Sequence, residues 1–534
     1  MSDRLESRSP IGLPVPQLAA GKDVRPAIGA KTRRMLWHGI GVVAVLALSA
    51  WFRLSHLGTA SLTHDEAARA NIVYAGGAPV RASGGQVWGA RRFPPLQFVM
   101  GWAIQHGIGR SEFLVRFPYA LAGIGCVALL YLFVRRYVGS GSALLVAAVA
   151  AVHPALITYS CKAKVFSLES FTTVALLWAG FEACRRPSSR SLLLFMAVGL
   201  LGLGFTFTSS LLIAGWIPLL AYAVLVNRLP NRSDDTADRP VRTLFVVAAV
   251  LTLAGAAWYL WLAGSPNREV MVKYQEAAFR AWPEAYTPGA LGTWLLFKSY
   301  GVLRFVLGMS EVWAPLKWCI GTAGLLAVSA SAGVLWRRCR VACLFAVILA
   351  VEVVMAGALR LWPMGEHQTT TFLIPLFAIA MGCGLHEFAR RMGRSPVTAV
   401  VLALCVFVPA ARATKATLFP PPLEQHTRPV FAYTAARLQP DDAIFIHYEM
   451  RDAYGFYWRG AGHPTLLQPH GNRDDLTAFA GQFDAWIAEH RRVWFVFMLR
   501  RPNEVGPWMG HLKEHYHIRD EYRFNDAATY LIER

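Results

Sequence analysis

The stretch MLWHGIGVVAVLALSAWFRLS, residues 35–55, is the first of the apolar runs that decide how this chain folds. About 20 such residues wound as a helix cross a hydrocarbon core of roughly 30 Å. Comparable runs recur at 113–134, 142–159, 165–184, 190–208, 210–227, 241–263, 316–336, 341–361, 369–389 and 396–412. Backbone in lipid must satisfy its own hydrogen bonds, so each run is expected to be a helix. The composition agrees. Of 534 residues, 55% are hydrophobic and 16% charged, and the mean hydropathy is +0.36, too apolar for an ordinary soluble protein. The segment PLQFVMGWAIQHGIG, 95–109, is shorter and is read as a re-entrant, interfacial or tilted helix.

The formal net charge of +20 is a matter of topology, not of nucleic-acid binding. The basic residues are spread over short loops: Arg33/Arg34, Arg135/Arg136, Arg185/Arg186/Arg190, Arg228/Arg232/Arg239/Arg242, Arg337/Arg338/Arg340 and Arg390/Arg391/Arg394. The positive-inside rule puts all of them in the cytoplasm. Eleven spans satisfy every cluster if 95–109 does not cross, with the N-terminus inside and the C-terminal part outside. The total expected is about 11–13. Residues 1–34 read as a disordered cytoplasmic tail, and the first span lacks a small-residue cleavage site. The eight cysteines all lie in or beside apolar segments, which argues against a disulfide framework.

The outer face then receives 56–112, a long aromatic-rich loop at 264–315, the turn at 362–368 and everything after about 413. In residues 413–534, DDAIFIHYE (441–449), RRVWFVFML (491–499) and ATYLIER (528–534) read as strands, with amphipathic helices near 424–438 and 473–490. The fold expected is an all-α polytopic membrane domain over 35–412, followed by a small extracytoplasmic α/β domain.

Directly after the first span comes SLTHDEAARANIVYAGG, 61–77, with Asp65 and Glu66 side by side. One reading is a helix start, with Thr63 as N-cap, Glu66 three residues on as a capping box, and Arg69 within helical reach of both acids. The other is a site, because acids at a membrane boundary call for a partner, a metal or a catalytic task. Four more outer-face segments favour the site: RRFPPLQF (91–98), GRSEFLVRFP (109–118), HPALITYSCKAKVFSLES (153–170) and RLWPMGEHQTTTFLIP (360–375). They carry Arg91, Arg92, Glu112, Arg116, Tyr159, Lys162, Lys164, Phe166, Arg360, Glu366 and His367. Acids and bases converging on one face suit an anionic, lipid-borne ligand. Arg116 would equally suit a structural ion pair with Glu112.

The order of these motifs resembles the C-type glycosyltransferases of the protein O-mannosyltransferase and aminoarabinose-transferase-like branch, most closely the bacterial RgtA/B/C/D-like group. The elements are an outer Asp-Glu pair, a Pro-Pro helix entry, G-x-S-E-F-x-x-R-x-P, P-x-x-x-x-Y-S with a basic residue and an aromatic after it, and a late P-x-G-x-basic segment. The resemblance covers roughly 35–412 and implies an inverting hexosyl- or pentosyltransferase of the bacterial inner membrane. Its donor would be a polyprenyl-phosphate sugar, and its acceptor an envelope glycan, lipid or protein on the extracytoplasmic face. Membrane lipids are implied as partners, and nucleic acid is not. By the same match Asp65 is the general base and Glu66 orients it or the acceptor. Arg92, Arg116, Lys162, Lys164 and His367 would bind the donor phosphate, and Glu112, Tyr159 and Glu366 would contact substrate. Lys164 and His367 stand where the family usually has arginine, and Phe166 where it usually has tyrosine. No cofactor is required, although some C-type enzymes hold a divalent metal near the first acid, and His56, His64 and Asp65 would suit one. The residues themselves leave two alternatives open: a transporter or flippase of a lipid-linked substrate, and an inactive assembly subunit of the same fold.

Overall fold

The computed structural model describes residues 25–74, 94–228, 238–263, 276, 282–309, 314–365, 368–393, 395–419, 425–458, 465–467, 476–499 and 502–534. Contacts divide the chain into a unit of 1–44 and a unit of 45–534. The described part of the first unit is the leading portion of one helix, α1 (Arg25–Leu54), which begins ten residues before the first apolar run expected at 35. Residues 1–24, read as part of a tail, lie outside the described residues.

In the second unit follow α2 (His64–Tyr74), α3 (Pro95–Gly107), α4 (Glu112–Tyr137), α5 (Ser140–Val152), α6 (Pro154–Ser160), α7 (Phe166–Arg185), α8 (Ser189–Phe205), α9 (Ser209–Arg228) and α10 (Asp238–Ala263). Then come α11 (Pro288–Val306), α12 (Ala314–Ala358), α13 (Ile374–Met392), α14 (Pro396–Leu402) and α15 (Val408–Leu418). Among the described residues seven helices are long and apolar enough to cross a membrane, or eight if the bent α5–α6 pair is one span. That pair turns by 59° where Pro154 removes a backbone donor. The 13 residues of α3 rise only about 20 Å, short of a bilayer core, as its apolar length foretold. The expected runs 316–336 and 341–361 fall in the single helix α12. Its 43-residue candidate span, 316–358, would rise about 65 Å, twice the core thickness. A non-helical residue, Cys339 (φ −136°, ψ 42°), breaks it within the Arg337/Arg338/Arg340 cluster and leaves two halves, each long enough to cross. The long loop expected at 264–315 contains α11, which buries Trp294, Lys298, Val302 and Phe305 and exposes Leu296 and Phe297. All eight cysteines are free.

Small residues let the membrane helices approach closely. A Cβ on Gly384 of α13 would lie 1.6 Å from the carbonyl oxygen of Ala327 in α12, and one on Gly382 would lie 2.4 Å from the backbone nitrogen of Val146 in α5. Both obstacles are backbone, so neither can be relieved by a rotamer change.

The C-terminal part contains α16 (Arg428–Arg437), β1 (Ala443–Ile446), α17 (Arg451–Tyr457), β2 (Thr465–Leu467), α18 (Leu476–Glu489), β3 (Arg492–Met498), α19 (Pro502–His515), β4 (Ile518–Phe524) and β5 (Ala527–Glu533). The sheet order is β2-β1-β3-β5-β4, with β1 parallel to β2 and β3, and β5 antiparallel to β3 and β4. The strands β1 and β3 read as unbroken apolar runs because both faces are covered. Phe445, Phe495 and Phe497 pack with α18 and α19, whereas Ile444, Trp494 and Val496 pack with α16. The edge strand β4 was not expected from sequence, since it alternates half-buried and exposed residues and reads IRDEYRF.

Gly384→Ala should lower the melting temperature of the detergent-solubilised protein by the equivalent of about 1–3 kcal/mol, the usual cost of overpacking. Gly333→Ala, with nothing within 4 Å of the new methyl group, should leave it unchanged or raise it. Equal melting of the two variants would contradict the close approach of α12 and α13.

Candidate active site

Helix α2 starts where the expected capping box lies. The Thr63 carbonyl accepts the Ala67 amide at 2.8 Å, and the Thr63 amide and hydroxyl donate to Glu66 Oε2 at 3.0 and 3.1 Å. Only the glutamate half of the box forms, because the Thr63 hydroxyl donates to the acid instead of accepting from the helix. Successive residues of a helix point about 100° apart, so Asp65 and Glu66 face different surroundings.

Glu66 is fully buried. Arg116 of α4 grips it with two bonds, Nε to Oε1 at 2.9 Å and Nη2 to Oε2 at 2.8 Å, and the Ala163 amide adds a third at 2.6 Å. Burial by itself would raise the pKa of this carboxyl. The charge of Arg116 and the bonds from Arg116, Thr63 and Ala163 overcome that and hold it at about 2, against an ordinary 4.5. The other N–H groups of Arg116 donate to the carbonyls of Leu57 (3.1 Å), Ala60 (2.8 Å) and Ser61 (2.8 Å). All five donors of the guanidinium point into the protein.

Asp65 is different: its side chain is 48% exposed and accepts from Lys164 Nζ at 3.1 Å. One short turn after α6 serves both acids. The Lys164 amide donates to the Lys162 carbonyl at 2.8 Å, the amide of buried Ala163 meets Glu66, and the Lys164 ammonium meets Asp65. Lys162, half-buried beside them, makes no ion pair or side-chain hydrogen bond among the described residues. The arrangement therefore presents a half-exposed carboxylate against the Lys164 ammonium, on a turn that also carries Lys162, beside a buried ion pair.

No curated protein matches the sequence. Residues 93–262 match the family described as dolichyl-phosphate-mannose-protein mannosyltransferase, a stretch that includes Arg116, Lys162 and Lys164 and begins after Asp65. Among solved structures, the chain is similar to ArnT from Cupriavidus metallidurans bound to undecaprenyl phosphate. The identity is 14%, the match covers 93% of this chain and 98% of that one, and the TM-score is 0.54. It is similar also to the archaeal oligosaccharyltransferase AglB from Archaeoglobus fulgidus in complex with an inhibitory peptide and a dolichol-phosphate. Here the identity is 12%, the coverage 93% and 74%, and the TM-score 0.52. The fold is that of the C-type glycosyltransferases.

Within this C-type fold several sequence expectations need correction. Arg116 is not available to a donor phosphate, since every donor it has is engaged, and its carboxylate partner is Glu66 in place of the expected Glu112. Glu112 is itself tied to Arg428 at 2.5 Å. Arg69 also lies within electrostatic reach of Glu169 in α7. Tyr159 packs edge-on against Phe166 at 5.1 Å and near Phe305 at 6.4 Å. Arg92, Glu366 and His367 lie outside the described residues. Among their described neighbours, the Thr370 hydroxyl donates to the Gly365 carbonyl at 3.2 Å and the Ser170 hydroxyl of α7 to the Thr371 carbonyl at 3.3 Å.

A metal ion finds no ligand set at His56, His64 and Asp65. His56 Nε2 bonds the Thr417 carbonyl at 2.6 Å, His64 lies 3.4 Å from Asp452, and Asp65 faces Lys164. Among the described residues no group of three His, Cys, Asp or Glu side chains converges. Arg53, which the sequence reading passed over, is wholly buried and donates to Ser49 and to the last carbonyls of α5, at Ala150 and Ala151. A lone arginine inside the first apolar run was the signal for it.

The depressed pKa of Glu66 fixes the sign of an acid dependence. The stability it contributes is complete above the ordinary value of 4.5 and is lost as the pH falls toward about 2. Glu66→Ala should cost about 3–5 kcal/mol, because Arg116 is left buried without its counter-charge. Asp65→Ala should change stability by less than about 1 kcal/mol, as a half-exposed pair does. Thermal unfolding of both variants at pH 7 checks this, and similar losses for the two would contradict it.

Proposed function

We propose that this protein is a membrane glycosyltransferase that moves a sugar from a polyprenyl-phosphate donor to an envelope acceptor on the extracytoplasmic face. The observation that carries the reading is the half-exposed Asp65 carboxylate 3.1 Å from Lys164, beside Lys162, in the C-type fold. ArnT, of the same fold, is described bound to undecaprenyl phosphate, and AglB with a dolichol-phosphate. Arginines at the other loop ends support a cytoplasmic N-terminus and an outward-facing site in the bacterial inner membrane.

Asp65 would take the proton of an acceptor hydroxyl as its oxygen bonds to the anomeric carbon. The bond from that carbon to the phosphate oxygen breaks on the opposite side, so the configuration inverts. The electron pair leaves on the lipid phosphate, whose growing charge Lys164 and Lys162 would neutralise. Approach of the donor would draw Lys164 from Asp65 toward the phosphate and free the carboxylate to act as base. Lysine is a point charge, so the phosphate would be held by charge and not by the planar fork of an arginine.

Asp65→Asn should lower glycan transfer by about 10²–10⁴-fold at normal membrane levels of the protein. Mass spectrometry of envelope glycans and polyprenyl-phosphate sugars, with and without the variant, reads this directly. Transfer at the parental level would exclude Asp65 as the base. Lys162→Gln with Lys164→Gln should weaken binding of undecaprenyl phosphate at least about tenfold, and unchanged binding would exclude the lysine pair.

A further inference from the structure

We infer that the C-terminal α/β domain is part of the active site: its side chains cap the start of α2 and so position Asp65. The inference rests on the reading above only for what Asp65 does. The capping itself stands on contacts.

The first amides of a helix have no partner within it, and an isolated helix as short as α2 is marginal in water. Here four backbone amides leading into and opening α2 are received by side chains, and three of those side chains belong to the C-terminal domain. The Ser61 amide donates to His426 Nδ1 at 3.0 Å, the Leu62 amide to the Tyr457 hydroxyl oxygen at 2.5 Å, and the His64 amide to Gln425 Oε1 at 2.7 Å. The fourth, at Thr63, is received by Glu66. His64 is the residue directly before Asp65. The same domain also holds the other end of the helix, where Asn71 Nδ2 donates to the Asp452 carbonyl at 2.7 Å.

Three further features mark these contacts as a built arrangement. Gln425 is one of three non-glycine residues with positive φ among those described, at 54°, a region such residues avoid. It is fixed there by its amide on Asp526 Oδ2 at 2.7 Å and by the Thr427 amide on its carbonyl at 2.9 Å, which aim the side chain at His64. The imidazole of His426 is held below its ordinary pKa, by burial first and by Arg428 second, which keeps Nδ1 a proton acceptor for Ser61. Finally, Phe456 of α17 is buried with Leu62, Ala67 and Ala70, so α2 shares a small apolar core with the domain that caps it. Nearby, the Arg428 amide donates to the Ser61 hydroxyl at 3.0 Å, and its guanidinium pairs with Glu112.

Gln425 and Tyr457 are therefore positioning residues. They act on Asp65 through the backbone that carries it.

The test uses the full-length protein in lipid nanodiscs. In Gln425→Leu and separately in Tyr457→Phe, hydrogen exchange of the amides at 61–64 should quicken about tenfold. The amides of β1, β3 and β5 should exchange at the parental rate, and undecaprenyl phosphate should bind as in the parent. Glycan transfer in cells should fall about tenfold in both variants. Gln425→Glu retains an acceptor oxygen and should restore slow exchange and transfer. Parental exchange at 61–64 in both variants would overturn the inference, as would loss of undecaprenyl phosphate binding together with faster exchange throughout the sheet. The two readings fail separately. If Asp65→Asn transferred glycan normally while Gln425→Leu loosened 61–64, the base assignment would fall and the capping would stand.

Discussion

The buried ion pair between Glu66 and Arg116 is the constraint on which the candidate site depends. A carboxylate and a guanidinium removed from water are costly unless each hydrogen-bonding position is filled, and here they are. Glu66 accepts from Thr63, Ala163 and Arg116, and Arg116 also donates to three carbonyls of the segment leading out of the first span. One pair thus ties α2, α4, the turn after α6 and the exit from α1 together. Because Asp65 follows one residue behind on the same helix, fixing Glu66 inward fixes Asp65 outward. The adjacent acids are a single device with an anchored half and an exposed half.

The membrane helices were legible because hydrophobic length is a property of local sequence: the runs at 113–134, 165–184 and 210–227 all became helices close to those limits. So were β1, β3 and β5, whose apolar runs are continuous. What stayed hidden depended on partners distant in the chain. The exposed face of β4 looks like loop, and α11 lies in a stretch read only as a long aromatic-rich loop. At the site, the sequence named Asp65, Glu66, Arg116, Lys162 and Lys164, but spacing along one helix pointed to Arg69 as the partner of the acids. The structure adds partners 50 and 99 residues away, Arg116 for Glu66 and Lys164 for Asp65. Helical periodicity cannot rank such contacts.

The C-terminal domain was harder still. Nothing in EQHTRP, 424–429, distinguishes a capping segment from a linker, because its function lies in meeting backbone amides, which carry no sequence signature. Tyr457 and Asp452, in the following segment, likewise meet α2 and the residues leading into it, through the backbone amide at Leu62 and the side chain of Asn71. A chain built this way couples the folding of its C-terminal domain to the start of α2, so changes in that domain reach Asp65 through one short helix.

The division of labour between anchored and exposed groups is tested most directly by an experimental structure of the protein with bound undecaprenyl phosphate. The account predicts the phosphate within hydrogen-bonding distance of the Lys162 or Lys164 ammonium, with Asp65 exposed beside it and Arg116 still bridging Glu66 by two bonds. A phosphate seated on Arg116, with the Glu66 pair broken, would contradict it.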